Sequence, residues 1–458
     1  MIATPTMGNL LPVVEFAIHL VNHHHHHRRI SVTILTISMP QWPLIDHYAR
    51  SHTPTDHIRL IQLLPADTPS PDQYTSRIEF ISLYIQNHRP MVQQTLATIE
   101  PLVGLFVDMF CTSMIDVAND LGIPCYLYFA SPAAYLGFVL HLATLPLTES
   151  VDSLNELTVA SFTNPVPSSA FPLFCRNKNE LGYSCFVRHA VRYKETKGIV
   201  VNTFRELEPY SLDSLSSDYI GLPPVYPVGP VVDHVGPVKW HPNRSGLEKV
   251  IQWLDRQPDC SVVFLCFGSM GSLNRAQVRE IGTGLERAGY RFLWSLREPA
   301  KTKVELPNDY EELEKDLFPD GFVDRTAQSG LVCGWVSQVS VLAHKAIGGF
   351  VSHCGWNSIL ESISYGVPVA TWPLYGEQHL NAFEMVKELG LSVEMKLDKG
   401  NDLVLADEVE RGVRELMDGR DGALKIKVKE MSDKSKVALM KNGSSFQALE
   451  NLLDVLLF

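Results

Sequence analysis

Positive charge is scarce in this sequence, which has 39 Lys and Arg residues against 51 Asp and Glu residues and a formal net charge of -12. A surface that binds nucleic acid needs an excess of basic side chains, so this balance argues against a nucleic-acid partner. The eight cysteines contain no Cys-x-x-Cys pair, and several lie in apolar strand-like runs where a reduced thiol packs as a small hydrophobe. This pattern predicts a reducing, cytoplasmic location.

The sequence also lacks a recognisable secretory signal and an apolar run that could cross a membrane as a helix. The long apolar stretch at 123–147 is interrupted by Pro124, Pro132 and Pro146. A spanning helix needs about 20 apolar residues that can stay helical, and proline breaks such a helix. We therefore predict a strand, a turn and a buried helix in this stretch, with no membrane insertion.

Length and composition predict a soluble protein of two large domains. At about 150 residues per domain, 458 residues are too many for one hydrophobic core. Hydrophobic residues make up 45% of the chain and charged residues 20%, which is typical of a folded globular protein.

Short apolar runs alternate with amphipathic helical patterns in both halves of the chain. The runs lie at 30–38, 58–64, 104–110, 123–130 and 197–204, and then at 261–268, 291–296, 330–336, 348–355 and 367–374. Strands that are apolar throughout are typical of parallel sheets covered on both faces. The pattern predicts an α/β protein of two doubly wound sheets facing across a cleft, joined by the Pro- and Gly-rich linker at 221–243. The histidine run at 23–27 is expected to be a solvated loop.

The segment SHCGWNSILES is a strand end that turns through Gly355 into a helical pattern. Asn357 and Ser358 fall at the helix start, where N–H groups and the helix dipole favour an anion such as a phosphate, and His353 adds a donor. One turn deeper, Glu361 suits the hydroxyl groups of a ribose. The Ser358-x-x-Glu361 spacing also fits a capping box, which needs no ligand.

Further polar and aromatic residues fall at neighbouring strand ends of the same predicted sheet. They are Ser269, Trp335, Gln338, Glu377 and Gln378. Ligands bind beyond the carboxyl ends of such strands, and a ligand site requires several convergent polar groups. This convergence favours a nucleotide site over a capping box.

The stretch from Trp335 to Gln378, WVSQVSVLAHKAIGGFVSHCGWNSILESISYGVPVATWPLYGEQ, resembles the signature box of plant family 1 UDP-dependent glycosyltransferases. The segments WLDRQPDCSVVFLCFGS and VNTFRELE extend the resemblance over most of the chain. The resemblance implies a GT-B fold with an acceptor-binding domain at 1–235 and a UDP-sugar-binding domain at 236–458. It also implies that the last helix, at 435–458, packs back on the first domain, and that the enzyme is an inverting, metal-independent monomer without a cofactor.

The resemblance also implies a role for each position of the box. The residues implied to bind uracil and ribose are Trp335, Gln338 and Glu361. Those implied to bind the diphosphate are Ser269, His353, Asn357 and Ser358. Those implied to bind the sugar hydroxyls are Trp372, Glu377 and Gln378, and the same site includes Val336, Gly355 and Trp356. Glucose users in this family usually carry Gln at the position of Gln378, so UDP-glucose is the expected donor.

The acceptor pocket is expected in the N-terminal domain, in the loop after Phe129 and the helix that carries Tyr135, Phe138 and His141. These side chains are mostly apolar or aromatic, which favours a flat hydrophobic acceptor such as a phenolic metabolite.

The opening turn TPTMGN departs from the family at the catalytic base. The resemblance implies a His at the position of Asn9, which takes the proton of the acceptor hydroxyl and is oriented by an Asp at the position of Asp108. An amide has no basic lone pair near neutral pH, so Asn9 cannot collect a proton. His19 would point to another side of the helix, and a helix N-cap is the alternative role for Asn9. Family members carry several more residues before this turn, so we expect a truncated first strand.

Three functions remain open at this point. The first is a glucosyltransferase whose acceptors ionise easily or are deprotonated by Asp108, directly or through water. The second is a catalytically silent protein that binds a UDP-sugar or an aromatic metabolite, and the third is a sugar-nucleotide enzyme of another reaction type.

The sequence fits two other enzyme classes less well. A nicotinamide enzyme needs a glycine-rich loop after a strand, whereas Gly282-x-Gly284 lies in a helical pattern. Tyr193 and Lys197 are spaced like the catalytic pair of a short-chain dehydrogenase, but without that loop we interpret the spacing as a coincidence. A metal-dependent glycosyltransferase would carry Asp-x-Asp, and that triplet does not occur in the sequence.

Overall fold

The chain forms two compact units in a computed structural model. The structure describes all residues except 24–29, 40–41, 52–56, 146–150, 152–153, 177–181, 235, 237–244, 301–306, 312–315, 399, 401–402, 419–421 and 458. Unit 1 contains Met1–Asp233, Tyr375–Leu380 and Lys434–Phe458, and unit 2 contains His234–Leu374 and Asn381–Asp433. Most of the histidine run and the end of the predicted linker lie outside the described residues.

Unit 1 alternates helices and strands along its main segment. Its helices are α1 (Met7–Asn22), α2 (Leu44–Ser51), α3 (Arg77–Asn87), α4 (Arg89–Leu96), α5 (Met114–Asp120), α6 (Ala133–Leu142), α7 (Leu173–Arg176), α8 (Tyr183–Arg192) and α9 (Pro209–Ser217). Its strands are β1 (Val32–Ile37), β2 (Ile58–Leu63), β3 (Leu105–Asp108), β4 (Cys125–Phe129), β5 (Glu156–Leu157), β6 (Val166–Pro167), β7 (Ile199–Val201) and β8 (Val225–Pro227).

The main sheet of unit 1 is parallel and is completed by residues at the start of the chain. Strands β1 and β2 pair with each other, and β3, β4, β7 and β8 pair in that order. Ile2 forms parallel bridges to both Leu35 on β1 and Val107 on β3. The Ile2 N–H donates to Phe106 O at 2.9 Å, and the Asp108 N–H donates to Ile2 O at 3.0 Å. The backbone of Ile2 therefore joins the two groups of strands.

Unit 2 follows the same alternation. Its helices are α10 (Ser245–Leu254), α11 (Arg275–Ala288), α12 (Phe322–Thr326), α13 (Gln338–Leu342), α14 (Trp356–Tyr365), α15 (Gln378–Phe383), α16 (Ala406–Asp418) and α17 (Ala423–Leu439). The first residues of α15 and the last residues of α17 group with unit 1. Its strands are β9 (Val262–Cys266), β10 (Arg291–Ser295), β11 (Arg297–Glu298), β12 (Asn308–Asp309), β13 (Gly330–Cys333), β14 (Ile347–Ser352), β15 (Val369–Thr371) and β16 (Ser392–Glu394).

The main sheet of unit 2 is parallel, with the strand order β13-β10-β9-β14-β15-β16. When these six strands are numbered from 1 to 6 along the chain, their order across the sheet is 3-2-1-4-5-6, which is the doubly wound arrangement. Strand β9 is buried along its whole length, as expected for a central strand covered by helices on both faces. The predicted α/β fold with parallel sheets is thereby confirmed, and each apolar run predicted as a strand overlaps a strand of the structure.

Two strands of the main sheets were not predicted, and neither were the short strands β5, β6, β11 and β12. Strand β8 (Val225–Pro227) lies inside the segment predicted as a linker and pairs in parallel with β7, so the assignment of 221–243 as linker is wrong at its start. The prolines around β8 are tolerated because it is an edge strand of the described sheet. Strand β16 (Ser392–Glu394) forms the far edge of the other sheet.

The long apolar stretch at 123–147 folds as predicted, into strand β4 followed by helix α6. Within the described residues, no helix combines the length and the apolar character needed to span a membrane. All eight cysteines are among the described residues, and each is a free thiol.

The last described helix, α18 (Ser444–Leu457), groups with unit 1. The Ser445 hydroxyl donates to Gly229 O, and the Ser444 hydroxyl donates to Glu206 Oε2 at 2.8 Å. The ring of Phe446 packs against the His23 imidazole with 4.4 Å between ring centroids. These contacts attach α18 to the part of unit 1 that carries β8.

A buried carboxylate caps helix α6, the helix with the predicted acceptor residues. Glu208 is 2% exposed, and its two oxygens accept hydrogen bonds from the N–H groups of Ala133 at 3.0 Å and Ala134 at 2.7 Å. These N–H groups lie in the first turn of α6, where helical partners are missing and a negative charge is favoured by the helix dipole. Glu208 therefore fixes the start of α6.

Replacing this cap should destabilise unit 1. We expect Glu208→Ala to lower the free energy of unfolding by about 1–3 kcal/mol, because two buried N–H groups lose their acceptors. Chemical denaturation followed by fluorescence measures the change, with the exposed Glu156→Ala on β5 as the control. Equal stability of the two variants would show that α6 does not depend on this carboxylate.

Candidate active site

The strand order of unit 2 reverses between β9 and β14. These strands are neighbours, with Cys266 paired to Ser352 at their carboxyl ends. Chain segments leave the two strands in different directions at this point, which opens a crevice where doubly wound sheets bind ligands. The residues that follow β9 and β14 include Ser269 and His353, which the sequence predicts as diphosphate-binding residues.

The turn after β14 has an unusual backbone. Cys354 adopts a left-handed conformation with φ of 64°, which residues other than glycine rarely adopt. The turn is held by the Asn381 amide, whose Nδ2 donates to Cys354 O at 2.9 Å, and by the Ser352 hydroxyl, which accepts from the Cys354 N–H at 3.2 Å. This turn leads through Gly355 into helix α14.

The His353 imidazole lies between two glycines. A Cβ atom at either Gly268 or Gly355 would come within 2.6 Å of His353 Nε2, so a side chain at either position would collide with the ring. Gly268 also has a positive φ of 76°. Burial lowers the pKa of His353 to about 4, so the ring is neutral at pH 7. A neutral imidazole can donate one hydrogen bond to a phosphate oxygen.

The side chains of Gln338, Ser358 and Glu361 meet between helices α13 and α14. Gln338 Nε2 donates to Ser358 Oγ at 2.8 Å and to Glu361 Oε2 at 2.7 Å. Helix α14 begins at Trp356 with Gly355 as its N-cap, so Ser358 lies in the first turn and does not cap the helix. The capping-box alternative is therefore wrong, since the start of the helix lies before Ser358.

Trp335 follows strand β13 and is partly exposed. Its backbone N–H donates to Asp309 Oδ1 at 2.7 Å, and Arg297 Nε lies 3.0 Å from the same oxygen. The Asp309 carboxylate therefore fixes the backbone at Trp335, while the next residue, Val336, is buried. A partly exposed indole on a fixed backbone can stack on a planar ring.

Three other residues that are predicted to bind the UDP-sugar differ in their exposure to solvent. Ser269 is exposed, and Trp356 is 2% exposed at the start of α14. Trp372 is 4% exposed, and its ring packs edge-on against Phe267 with 5.6 Å between centroids. The burial of both Trp side chains favours a wall or supporting role, and their contact with a sugar nucleotide stays a prediction.

Glu377 and Gln378 lie in Tyr375–Leu380, a segment that groups with unit 1. The segment is attached there by the Leu173 N–H, which donates to Gly376 O at 3.0 Å. Gln378 is 3% exposed, and its Oε1 accepts from the Tyr375 N–H at 2.9 Å. The sequence did not predict that this part of the box belongs with the N-terminal residues.

The predicted acceptor residues on α6 are more buried than expected. Tyr135 is 2% exposed, and burial raises the pKa of its hydroxyl well above the usual value, with the Glu377 charge adding to the rise. Phe138 has no exposed surface and packs against Phe171. His141 is partly buried, which lowers the pKa of its ring. These positions favour a supporting role behind an acceptor pocket, and direct contact with an acceptor stays a prediction.

Asp108 ends strand β3 at the point where the strand order of unit 1 reverses around Ile2. It is fully buried, and its Oδ1 accepts hydrogen bonds from the Thr4 hydroxyl at 2.5 Å and the Phe110 N–H at 3.2 Å. Burial raises the pKa of Asp108, and the hydrogen bonds from Thr4, Asn9 and Phe110 offset part of that rise. No oxygen of this carboxylate faces solvent.

Asn9 covers the other oxygen of Asp108. Its Nδ2 donates to Asp108 Oδ2 at 3.0 Å, and its Oδ1 accepts from the Thr6 hydroxyl at 2.6 Å. Helix α1 begins at Met7 with Thr6 as the N-cap, so Asn9 lies within the first turn and the cap assignment for Asn9 is wrong. The predicted pair of Asn9 and Asp108 is brought together by the fold.

Comparison with known proteins assigns these features to a family. The family model of UDP-glucoronosyl and UDP-glucosyl transferases matches residues 212–420. UDP-glycosyltransferase 43 of Pueraria montana var. lobata is 52% identical, over 99% of this chain and 98% of the relative. The chain belongs to the plant family 1 UDP-glycosyltransferases. UDP-glucose flavonoid 3-O-glucosyltransferase 6 of Fragaria ananassa is 46% identical, over 84% of this chain and 86% of the relative.

Solved structures show that this UDP-glycosyltransferase has the GT-B fold. Medicago truncatula UGT71G1, solved with UDP-glucose, superposes with a TM-score of 0.88 at 40% identity, covering 99% of this chain and 97% of that chain. A transferase from Siraitia grosvenorii, solved with UDP, gives a TM-score of 0.86 at 41% identity, covering 100% and 99%.

The features that suggested a nicotinamide enzyme have structural roles in this glycosyltransferase. Gly282 and Gly284 lie inside helix α11, and a Cβ at Gly284 would collide with Val409 of α16. Tyr193 is buried, and its hydroxyl donates to Met109 O at 3.2 Å, whereas Lys197 is exposed.

Sequence reasoning missed the residues that hold the predicted ones in place. Thr4 and Thr6 orient Asp108 and Asn9, and Arg297 and Asp309 fix the backbone at Trp335. The opening turn gave a signal for the first pair, since two threonines closely precede the position of the expected base. The second pair comes from the short strands β11 and β12, which have no clear signal in the sequence.

The nucleotide site can be tested by calorimetry with UDP. Trp335→Ala removes the partly exposed indole, and Glu361→Ala removes the carboxylate beside Gln338. We expect each change to weaken UDP binding by about 1–3 kcal/mol, through lost stacking or lost hydrogen bonds to a charged group. Glu430→Ala, at an exposed position of α17, is the control. UDP affinity unchanged in both site variants would remove the nucleotide assignment.

Proposed function

We propose that this UDP-glycosyltransferase transfers glucose from UDP-glucose to an oxygen of a small, flat, hydrophobic acceptor, such as a phenol or a carboxylic acid, with inversion at the sugar carbon. The observation that carries the proposal is the hydrogen bond between Asn9 and the buried carboxylate of Asp108. It lies at the strand-order reversal of unit 1, where doubly wound sheets bind ligands. Relatives named as flavonoid glucosyltransferases support this class of acceptor.

The donor half of the proposal rests on the cluster around helix α14. Trp335 would stack on uracil, and Glu361 and Gln338 would bind the ribose. The first turn of α14 lacks a side-chain cap, so its N–H groups and dipole favour the diphosphate, with Ser358 and His353 as further donors. The Medicago relative solved with UDP-glucose supports this donor.

Glucose is the proposed sugar because Gln378 stands where glucose users of the family usually carry Gln. Its Oε1 accepts a hydrogen bond from the Tyr375 N–H at 2.9 Å, which fixes the orientation of the side-chain amide. Glu377 and Trp372 are proposed to bind the same sugar.

The proton of the acceptor decides which acceptors react. In the displacement, the acceptor oxygen bonds to the anomeric carbon while the bond from that carbon to the UDP oxygen breaks, and any proton on the acceptor must leave. Asn9 cannot take the proton, because an amide is not basic near neutral pH. Asp108 has no oxygen exposed to solvent. Acceptors that arrive ionised are therefore the substrates that this site fits best.

An oxyanion on the acceptor would find hydrogen-bond donors at this turn. Asn9 Nδ2 carries a second N–H beyond the one donated to Asp108. Asn9 also lies in the first turn of α1, where the helix dipole favours negative charge. The proposed role of Asn9 is to bind and orient an ionised acceptor.

A catalytically silent binder of a UDP-sugar or an aromatic metabolite is the second candidate. The absence of a base at Asn9 and the full burial of Asp108 favour it. Product analysis by mass spectrometry, with UDP-glucose and a panel of phenols and carboxylic acids, separates the two functions. A glucoside formed only in the presence of protein supports the enzyme, and UDP-glucose binding without any product supports the binder.

Transfer should not require a metal ion. In the proposed site the diphosphate is stabilised by the N-terminus of α14 and by neutral donors, so exhaustive chelation with EDTA should leave the rate of glucoside formation unchanged. The same assay with added Mn²⁺ is the control. Loss of activity in EDTA with recovery on adding Mn²⁺ would contradict the proposal.

Restoring a base at position 9 should widen the range of acceptors. A phenol with a pKa near 10 is only about 0.1% ionised at pH 7. We expect the natural protein to be slow on such phenols, with a rate that rises with pH toward the pKa of the acceptor. A positioned base typically contributes about 10²–10⁴-fold, so Asn9→His should raise the rate on neutral phenols at least about tenfold. Above the pKa of the new imidazole, the pH dependence should flatten.

Asn9→Gln is the matched control, since it keeps an amide and adds no base. Asn9→His combined with Asp108→Asn tests whether the new imidazole depends on the carboxylate, and we expect most of the gain to be lost. Brisk turnover of neutral phenols by the natural protein at pH 7, with no gain in Asn9→His, would place the base elsewhere.

A further inference from the structure

The left-handed residue Cys354 lies between strand β14 and helix α14, and buried side chains bind its backbone on both sides. Its N–H donates to Ser352 Oγ at 3.2 Å, and its carbonyl oxygen accepts from Asn381 Nδ2 at 2.9 Å. Ser352, Cys354 and Asn381 are each 0% exposed. The backbone of this one residue is therefore fixed by contacts that solvent does not reach.

The conformation of Cys354 is unfavourable for a cysteine. At a φ of 64° the Cβ of an L-residue crowds the backbone, and glycine avoids that cost because it has no Cβ. The Cys354 thiol is a weak donor, and it shares its acceptor, Ser352 O at 3.4 Å, with the Trp372 N–H at 2.8 Å. The hydrogen bonds from Ser352 and Asn381 to the Cys354 backbone therefore offset most of the cost.

Asn381 uses only the donor half of its amide in the described part of the chain. Nδ2 donates to Cys354 O, whereas Oδ1 is buried and has no hydrogen-bond partner there. A buried carbonyl oxygen without a partner costs free energy, and native structures keep few of them. An apolar side chain would avoid this cost, so the property that asparagine supplies at this position is the donor toward Cys354.

The start of helix α14 depends on the backbone angles of Cys354. Only Gly355 lies between Cys354 and the first helical residue, and no side chain caps the helix. The N–H groups of the first turn and the positive end of the helix dipole point in the direction that this turn sets. A change at Cys354 would swing them away from the crevice at the end of β14.

The His353 imidazole depends on the same turn. It fits between Gly268 and Gly355, where a Cβ at either position would come within 2.6 Å of Nε2. Packing this close leaves the turn little room to adjust. If Cys354 relaxed to a negative φ, the His353 ring and the N–H groups of α14 would lose their alignment together.

We propose that Asn381 is a positioning residue for the diphosphate of the donor. It holds Cys354 in the left-handed conformation, and this conformation aims the first turn of α14 and the His353 ring at the phosphate oxygens. The inference rests on the proposed function, because it concerns the donor half of that site.

Binding of UDP and of uridine separates this role from a purely structural one. Uridine keeps the uracil and the ribose but lacks the diphosphate, so a residue that acts on the diphosphate changes the affinity for UDP alone. We expect Asn381→Leu to weaken UDP binding about tenfold in calorimetry and to leave uridine binding, measured by displacement, within about twofold. Asn381→Ala, which adds no bulk to the core, is measured in parallel and should show the same pattern.

Asn202→Leu is the matched control. Asn202 is also 0% exposed, and its amide fixes a backbone residue of unit 1, with Nδ2 donating to Val231 O at 3.2 Å and Oδ1 accepting from the Val231 N–H at 2.7 Å. This variant should lose stability in thermal denaturation and keep the natural ratio of UDP to uridine affinity. Equal losses of UDP and uridine affinity in both Asn381 variants would reduce Asn381 to a packing role and overturn the proposal.

Substitutions at Cys354 test the mechanism itself. Glycine adopts a positive φ without steric cost, whereas alanine keeps the Cβ, and both lack the thiol. Asn381→Leu is therefore combined with Cys354→Gly and, separately, with Cys354→Ala. The loss of UDP affinity caused by Asn381→Leu should remain about tenfold with Cys354→Ala and shrink to about twofold with Cys354→Gly. An equal loss in the two proteins would show that Asn381 does not act through the conformation of Cys354, which also overturns the proposal.

Glucoside formation by the same proteins distinguishes this inference from the proposed function. If the ratio of UDP to uridine affinity changes as expected but the natural protein forms no glucoside, the proposed transfer fails and the role of Asn381 stands. If the natural protein forms a glucoside and the ratio is the same in every Asn381 variant, the proposed function stands and the role of Asn381 fails.

Discussion

Unit 1 depends on the backbone of Ile2, which joins its two groups of parallel strands beside the pair of Asn9 and Asp108. Its parallel bridges to Leu35 and Val107 join two groups of strands that have no other described pairing. The same pairing places the following turn beside the carboxyl end of β3. Thr4 and Asn9 therefore reach both oxygens of Asp108, and the geometry of this candidate site depends on the register of a very short segment.

The C-terminal unit uses the same geometric principle with different chemistry. Its strand order also reverses around a central strand, β9, and the polar residues again follow the strands at the reversal. There the left-handed Cys354 and the glycines around His353 bring a helix start to the crevice. One sheet thus presents a buried carboxylate, and the other presents a helix dipole and neutral donors that suit a diphosphate.

Much of the fold follows from local sequence, because fully apolar strands and their alternation with helices are properties of short segments. The parts that could not be predicted depend on contacts between distant residues. Strand β8 looks like linker because its prolines matter less at an edge than in a central strand. Ser358 and Glu361 look like a cap until the start of α14 is known, and Gln338 then explains their spacing. The grouping of Tyr375–Leu380 with unit 1 has no local signal at all.

The proposed acceptor site was also only partly predictable, for a related reason. The pair of Asn9 and Asp108 was found through resemblance, and the structure brings the two side chains within hydrogen-bond distance. Tyr135 and Phe138 were chosen for their aromatic character, yet the same character buries them in the core.

An amide at the position where the family resemblance implies an imidazole would change the charge balance of the proposed reaction. A His beside Asp108 would become cationic on taking the acceptor proton, and the buried carboxylate would stabilise that cation. With Asn9, the carboxylate has only neutral partners, and an ionised acceptor adds a second negative charge nearby. Repulsion between the two charges would raise the pKa of Asp108 beyond the rise that burial already causes. The Asn9 amide and the N-terminus of α1 oppose this repulsion, since both direct positive partial charge toward the turn. In the proposed reaction, the site therefore stabilises an anionic acceptor with dipoles in place of a proton transfer.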